Sequence, residues 1–175
     1  MLKQLRKAQR VGIPAALVLA MAAGCGKPVV VETPRPVTVV IDVRASASVN
    51  PDAEGRPSPV RVRVYQLADD ADFSSADLTA LWAGDSELLA ESLVSRQDFM
   101  LAPGGSAKGS MQLEPTTRQI AVVAAFRDFR SAAWRAVEAT PQPPVPGTEL
   151  TLAVAVDASS VSASLKPTTS AGAVK

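Results

Sequence analysis

Histidine is missing altogether from this 175-residue chain, and cysteine occurs once. The first absence removes Ser-His-Asp and Cys-His nucleophile activation, together with histidine-based zinc sites. The second rules out a cysteine metal cluster and an intrachain disulfide. No glycine-rich phosphate loop of the Walker type is present. Aromatic residues make up only 4%, so a core must rest on Val, Leu and Ala. A basic stripe is lacking too. The formal net charge of +1 depends on Lys3, Arg6, Lys7 and Arg10, which precede every acid; without residues 1–24 the remainder carries 14 basic against 17 acidic side chains, a net of −3. A weakly acidic body argues against nucleic acid as a partner. Carboxylate-pair hydrolysis stays open, since any two acids can meet in a fold. The acids nevertheless fall mostly singly on polar strand faces or in turns, where solvation accounts for them. No catalytic residue, metal ligand or cofactor is assigned.

What is there is globular: 47% of residues are hydrophobic and 20% charged, with length enough for one ordinary core. The front of the chain follows a secretory layout: four cations, the apolar run Val11–Ala23, then small residues up to Cys25. As a helix that run rises roughly 20 Å, short of the roughly 30 Å of a bilayer core, so a permanent transmembrane anchor is the weaker reading. Ala22-Ala23-Gly24-Cys25 is similar to the bacterial lipobox, with Ala22 where Leu is usual. Ala20-Met21-Ala22 also suits an ordinary signal peptidase, which would leave Cys25 a free thiol near the new N-terminus. Under the lipobox reading residues 1–24 are a signal peptide and Cys25 carries the acyl chains, each buried CH₂ contributing about 0.8 kcal/mol to attachment. Gly26, rather than Asp, then favours the outer membrane by analogy with that class. Residues 25–36, ending "GKPVVVETPRP", form a stiff Pro-rich tether that could span about 40 Å.

A β-domain is expected over residues 37–166. Val37, Val39, Ile41, Val43, Ala45 and Ala47 alternate with polar residues, as do Val60, Val62 and Val64 with Arg61, Arg63 and Tyr65. "QIAVVAAF" (119–126) suits a central strand buried on both faces. "ELTLAVAV" (149–156) and "VSASL" (161–165) alternate again, and "LLAESLV" (88–94) and "WRAVEA" (134–139) are weaker strand candidates. The turn "PGGS" (103–106) between Phe99-Leu101 and Met111-Leu113 reads as a hairpin. "DFSSADLTALWAG" breaks the pattern. Ser74 as cap, Asp77 as its capping-box partner, the Phe73–Leu78 staple and a stop at Gly84 predict a helix across the edge or open end of a sandwich, with Leu78, Leu81 and Trp82 on one face and no cofactor role for Trp82. Residues 167–175 read as a frayed tail. Seven or eight short strands with one or two inserted helices define a mainly-β sandwich.

One loop is long for a hairpin connection: Asn50, Pro51, Asp52, Ala53, Glu54, Gly55, Arg56, Pro57, Ser58 and Pro59. Its start mimics a calcium loop, but Arg61 stands where a bidentate Glu is required. Three prolines stiffen it, which lowers the entropy lost if a partner grips it. A binding role follows.

"VNPDAEGRPSPVRVRVYQL" (49–67), "FSSADLTALW" (73–82) and "VVAAFRDFRSAAWR" (122–135) resemble the type VI secretion outer-membrane lipoprotein family, TssJ, over about Val37–Leu165. The resemblance implies a transthyretin-like two-sheet sandwich, no enzymatic activity, and lipid anchoring on the periplasmic face of the outer membrane. It also implies a partner, the periplasmic C-terminal region of the IcmF-like protein TssM, gripped through residues 50–59, with TssL indirectly in the same complex. Arg127, Asp128 and Arg135 are expected to pair with one another, and Phe126 and Trp134 to be core. Two other classes remain: a lipid-anchored carbohydrate-binding or hydrolytic sandwich, which would need exposed aromatics such as Tyr65 and Phe129, and a pilotin-like lipoprotein.

Overall fold

The computed structural model describes residues 35–168. The chain runs β1 (Val37–Ala45), β2 (Val60–Leu67), α1 (Ala71–Ser75), α2 (Leu78–Leu88), β3 (Leu93–Leu101), β4 (Ser106–Leu113), β5 (Gln119–Ala124), β6 (Arg135–Ala139), β7 (Glu149–Val156) and β8 (Val161–Pro167). Two four-stranded sheets result, in the orders β4-β1-β7-β8 and β3-β2-β5-β6. This is the expected sandwich. Neighbouring strands are antiparallel except β1 and β7, which run parallel. The expected signal segment 1–24, Cys25, residues 26–34 of the expected tether and residues 169–175 lie outside the described residues. Among the described residues, no helix is long and apolar enough to cross a membrane.

Period-two patterning explains the core. Val39, Ile41 and Val43 of β1, Val60, Val62 and Val64 of β2, and Leu150, Leu152 and Val154 of β7 meet between the sheets. Each such side chain contributes about 1.5–3 kcal/mol relative to remaining exposed. β5 is buried on both faces as its run of apolar residues requires: Ile120, Val122 and Ala124 point into the sandwich, and Ala121 and Val123 into a second cluster outside it. Phe126 is core, and Trp134 packs partly buried between both clusters.

Three local expectations are corrected. The turn at 103–106 does not close a hairpin, because β3 pairs with β2 while β4 pairs with β1. Residues 102–105 therefore carry the chain from one sheet to the other, bound by Gly104 N–H to Ser46 O (3.0 Å) and by Ala45 N–H to Gly105 O (2.9 Å). β3 and β4 face each other across the core: a Cβ on Gly109 would stand 3.0 Å from the Phe99 ring. Next, the predicted helix is two helices. Ser74 lies inside α1 and bonds Asp70, whereas Asp77 caps α2 by accepting from Ala80 N–H at 2.8 Å. Gly84 kinks α2 (φ −163°, ψ 51°) but does not end it. Finally, 88–92 is not strand. Leu88 closes α2, Leu89 is buried in the outer cluster, and β3 starts only at Leu93.

The helices also lie elsewhere than expected. They cover the outer face of the β3-β2-β5-β6 sheet, with Phe73, Leu78, Leu81 and Leu89 packed on Tyr65, Leu67, Ala121 and Val123. Tyr65 and Phe73 meet edge-to-face at 5.7 Å. The supposedly solvated face of β2 is therefore covered from Arg63 onward, and Arg63 is ion-paired, while Arg61 stays exposed. Arg63 donates through Nη1 to Asp85 (2.7 Å) and through Nε and Nη2 to Asp98 (2.5 and 3.0 Å). Arg96 and the Tyr65 hydroxyl complete the shell of Asp85. The Arg63 guanidinium also stacks 4.3 Å from the Trp82 ring centre. Asp85 and Asp98 are thus exceptions to the expectation of singly solvated acids.

This cluster sets the pH response. Burial pushes the Asp85 carboxyl up, but hydrogen bonds from Arg96 and Tyr65 and the charges of Arg63 and Arg96 outweigh it and hold Asp85 below its usual value. The Arg63 hydrogen bonds hold Asp98 low as well. Burial pushes Tyr65 up to about 12. A depressed carboxylate contributes stability that is complete above the unfolded value, about 3.9, and is lost as pH falls through the folded value. Tyr65 acts in the other direction, its contribution falling as pH rises past about 10. With no histidine in the chain, the urea midpoint should be flat between about pH 5 and 8 and decline below about 4 and above about 10. A midpoint unchanged down to about pH 2 would show that these carboxylates contribute nothing.

Candidate partner-docking site

The sandwich has two ends with different furniture. Val37 pairs with Leu113, Thr38 with Glu149, Leu150 with Pro167 and Gln119 with Ala139, so the chain enters the domain at the end where these residues lie. The β1–β2, β3–β4, β5–β6 and β7–β8 connections gather at the other end. The loop 50–59 is among them, and its sequence explains its form.

Asn50 opens the loop with φ +50°, a left-handed conformation that Asn adopts more readily than most residues. Its side chain is a two-sided pin. Nδ2 donates to Pro59 O at 2.8 Å, and Oδ1 accepts from Arg127 N–H at 2.7 Å. Both ends of the loop are thereby tied together and to the β5–β6 connection. Ser58 N–H closes the base on Val49 O (3.1 Å). Within the loop Asp52 is the organiser. Its Oδ1 accepts from Glu54 N–H (3.0 Å) and Arg56 N–H (2.9 Å), and its Oδ2 from Arg56 Nε (2.7 Å). Asp52 N–H bonds Arg56 O and Gly55 N–H bonds Asp52 O, both at 2.9 Å. Gly55 supplies the positive φ (+79°) that this tight turn needs. The Arg56 amide and side chain, with the Glu54 amide and the Arg127 charge, hold the Asp52 carboxyl below its usual value against partial desolvation.

The ten residues therefore divide by role. Asn50 and Ser58 are buried and shape the loop; Pro51 and Asp52 are half-buried; Ala53, Glu54, Gly55, Arg56, Pro57 and Pro59 are exposed. At the tip, Arg56 reaches Glu54 at 3.0 Å while their side chains remain 73% and 67% accessible, so an ordered ion pair is presented to solvent. The mimicry of a calcium loop ends at Asp52, whose oxygens are engaged by N–H donors. Among the described residues, no group of three or more acids, histidines or cysteines is placed to hold a metal ion.

Beside the loop lies an open cleft of about 540 Å³, walled by Pro51 and Asp52 on one side, Phe126–Asp128 on the second and Ala158–Ser159 on the third. Sequence reasoning singled out Asn-Pro-Asp and Ala-Phe-Arg-Asp as separate motifs. The Asn50–Arg127 hydrogen bond across 77 residues joins them. Nothing in the sequence signalled Ala158 and Ser159, which arrive with the β7–β8 turn. The expected pairing of Arg127, Asp128 and Arg135 does not occur among the described residues. Asp128 instead accepts from the Ser131 hydroxyl, and Arg135 donates to the carbonyls of Phe73 and Ala76, tying α1 to β6. Backbone acceptors at a helix end were nearer than the carboxylate. Of the aromatics a sugar-binding face would use, Tyr65 is 1% exposed and Phe129 is partly buried against the outer cluster.

The candidate site is thus an ordered, proline-braced polar protrusion beside an open cleft at one end of a two-sheet sandwich. Comparison with known proteins gives the family. The chain belongs to the type VI secretion lipoprotein family (VasD, EvfM, TssJ, VC_A0113), whose model matches residues 37–159. The crystal structure of the type VI secretion lipoprotein TssJ1 from Pseudomonas aeruginosa is similar, with 33% identity and a TM-score of 0.68, covering 75% of this chain and 98% of that one. So is Serratia marcescens Lip, a membrane-bound component of the type VI secretion system, at 27% identity and TM-score 0.67, covering 74% and 96%. A chain in a structure of the type VI secretion protein TssM C-terminal domain from EAEC matches at 31% identity and TM-score 0.57, covering 73% and 97%. No curated protein matches.

Proposed function

We propose that this protein is the outer-membrane lipoprotein of a type VI secretion membrane complex, acylated at Cys25 and holding the periplasmic C-terminal region of TssM through residues 50–59. The observation that carries the reading is polarity along the strands. The tether side of the domain and the loop 50–59 occupy opposite ends of the sandwich, separated by β1, whose nine residues span about 30 Å. Lipid can fix one end while a partner takes the other, with close-packed strands carrying load between them. Charged groups at the tip, Glu54 and Arg56, suit recognition that favours rate and specificity over raw affinity. The likeness to a chain from a TssM C-terminal domain structure supports the choice of partner. TssL would join the same assembly indirectly, through TssM.

The test is co-purification of the acylated chain with the TssM periplasmic C-terminal region. Stable co-elution is expected, and its absence under low salt would overturn the partner assignment. Anchoring has its own test. Cys25→Ser should move the protein from the outer-membrane fraction to the soluble periplasm. Continued outer-membrane fractionation of that variant would contradict lipid attachment.

A further inference from the structure

The end of the sandwich where the chain enters is apolar in an unusual way. Pro36, Pro115, Pro144, Val145, Pro146 and Pro167 converge there around two shallow grooves of about 280 and 120 Å³. Val145 is 63% exposed. It sits at the tip of the loop 141–147, which contains four prolines in seven residues. Proline has no backbone N–H, so this loop can leave water with few unpaired donors, and its fixed φ means little order is lost on docking. The loop is already held. Thr140 Oγ1 donates to Thr117 O (3.1 Å), Gln142 Nε2 donates to Thr117 O (3.0 Å) and accepts at Oε1 from Arg118 (2.6 Å), and Gly147 N–H bonds Arg35 O (3.1 Å). Arg35, Arg118 and Lys166 stand exposed at this end, against the acids Glu114 and Glu149.

We infer that this proline-rich end, tipped by Val145, is a second contact with the membrane, seated in the headgroup region of the leaflet that carries the lipid anchor. The inference rests on the lipoprotein reading above. Two features select a lipid surface as the occupant. The first is chain length: Arg35 lies ten positions after Cys25, so the entry end cannot stand more than about 35 Å from an acylated cysteine, whereas the loop 50–59 is a sandwich length farther on. Tethering at that range makes the contact intramolecular, so a weak apolar tip suffices. The second is charge: the exposed cations Arg35, Arg118 and Lys166 outnumber the exposed acids Glu114 and Glu149 around the apolar tip, a balance that suits a headgroup layer containing anionic phospholipid. The seat would orient the domain, with the loop 50–59 directed away from the bilayer.

The test uses the full acylated chain on vesicles of phosphatidylethanolamine and phosphatidylglycerol. An environment-sensitive fluorophore is placed at Val145→Cys or, as a control at the opposite end, Glu54→Cys. Flotation with the vesicles is expected for both. The probe at 145 should shift to the blue and lose more than half its emission to a lipid-borne quencher, and the probe at 54 should do neither. Val145→Asp should abolish the difference when the probe is moved to position 144. Vesicle flotation with a fully water-exposed probe at 145 overturns the inference alone. A probe at 145 that becomes protected only when the TssM region is added also overturns it, assigning the surface to a protein. Failure to float overturns the lipoprotein reading and this inference together.

Discussion

Deleting residues 52–56 should leave a folded, membrane-attached chain that captures the TssM C-terminal region at least about 100-fold more weakly, the loss of a central hot spot. The geometry makes the excision clean. Asp52 N–H already bonds Arg56 O at 2.9 Å, so Pro51 and Pro57 flank a closed turn, and rejoining them leaves the Asn50 pin on Pro59 and Arg127 in place. None of the removed side chains belongs to either hydrophobic cluster. Thermal unfolding and vesicle flotation should therefore match the parent, while pull-down fails. Undiminished capture would eliminate the loop as the main contact and leave the cleft walls at Phe126–Asp128 and Ala158–Ser159 to replace it. Arg56→Ala is a finer probe. It keeps the tip but removes the bonds to Asp52 and Glu54, so it should weaken capture mainly through loss of order.

Asp85→Ala should cost about 3 kcal/mol of folding stability, the size expected when one partner of a buried charge pair is removed. The Arg63 Nη1 and the Tyr65 hydroxyl would both lose their acceptor beneath α2, where Arg63 and Asp85 are each less than a tenth exposed. Urea unfolding checks the value. A loss under 1 kcal/mol would mean that water reaches the cluster freely. The companion double variant Arg63→Met/Asp85→Leu should recover part of the loss, because it removes the unpaired Arg63 charge but still leaves the buried Tyr65 hydroxyl without its acceptor. Binding at the loop 50–59 should be unaffected by either change, since α2 lies on the sheet face and not at the loop end.

Legibility in the sequence followed the range of the interaction responsible. Strands β1, β2, β5, β7 and β8 were readable because burial on one face, or two, writes itself as a period along the residues. The loop 50–59 was readable from length and prolines. The boundary between α1 and α2 was not: Ser74 and Asp77 are both competent caps, and only packing of Phe73 and Leu78 on the sheet decides between them. Residues 88–94 looked like a strand because Leu88, Leu89 and Val94 are apolar, yet Leu89 is buried by a turn and not by a ladder. The Asn50–Arg127 bond and the Arg63–Asp85–Asp98 cluster join residues 77, 22 and 35 positions apart, beyond the reach of any local pattern.

By itself the sequence determined that the body is a β-sandwich built on aliphatic residues, that histidine and paired-cysteine chemistry is closed to it, and that one rigid loop interrupts its strands. Composition and period suffice for these because each depends on which residues are near in the chain. Only the tertiary structure decided that β3 and β4 belong to opposite sheets, that the charged face of β2 is roofed by helices, and that the entry of the chain and the protruding loop stand at opposite ends. Those outcomes depend on which strand edges and faces find partners across the fold, and a period of two says how a strand is sided without saying what covers either side.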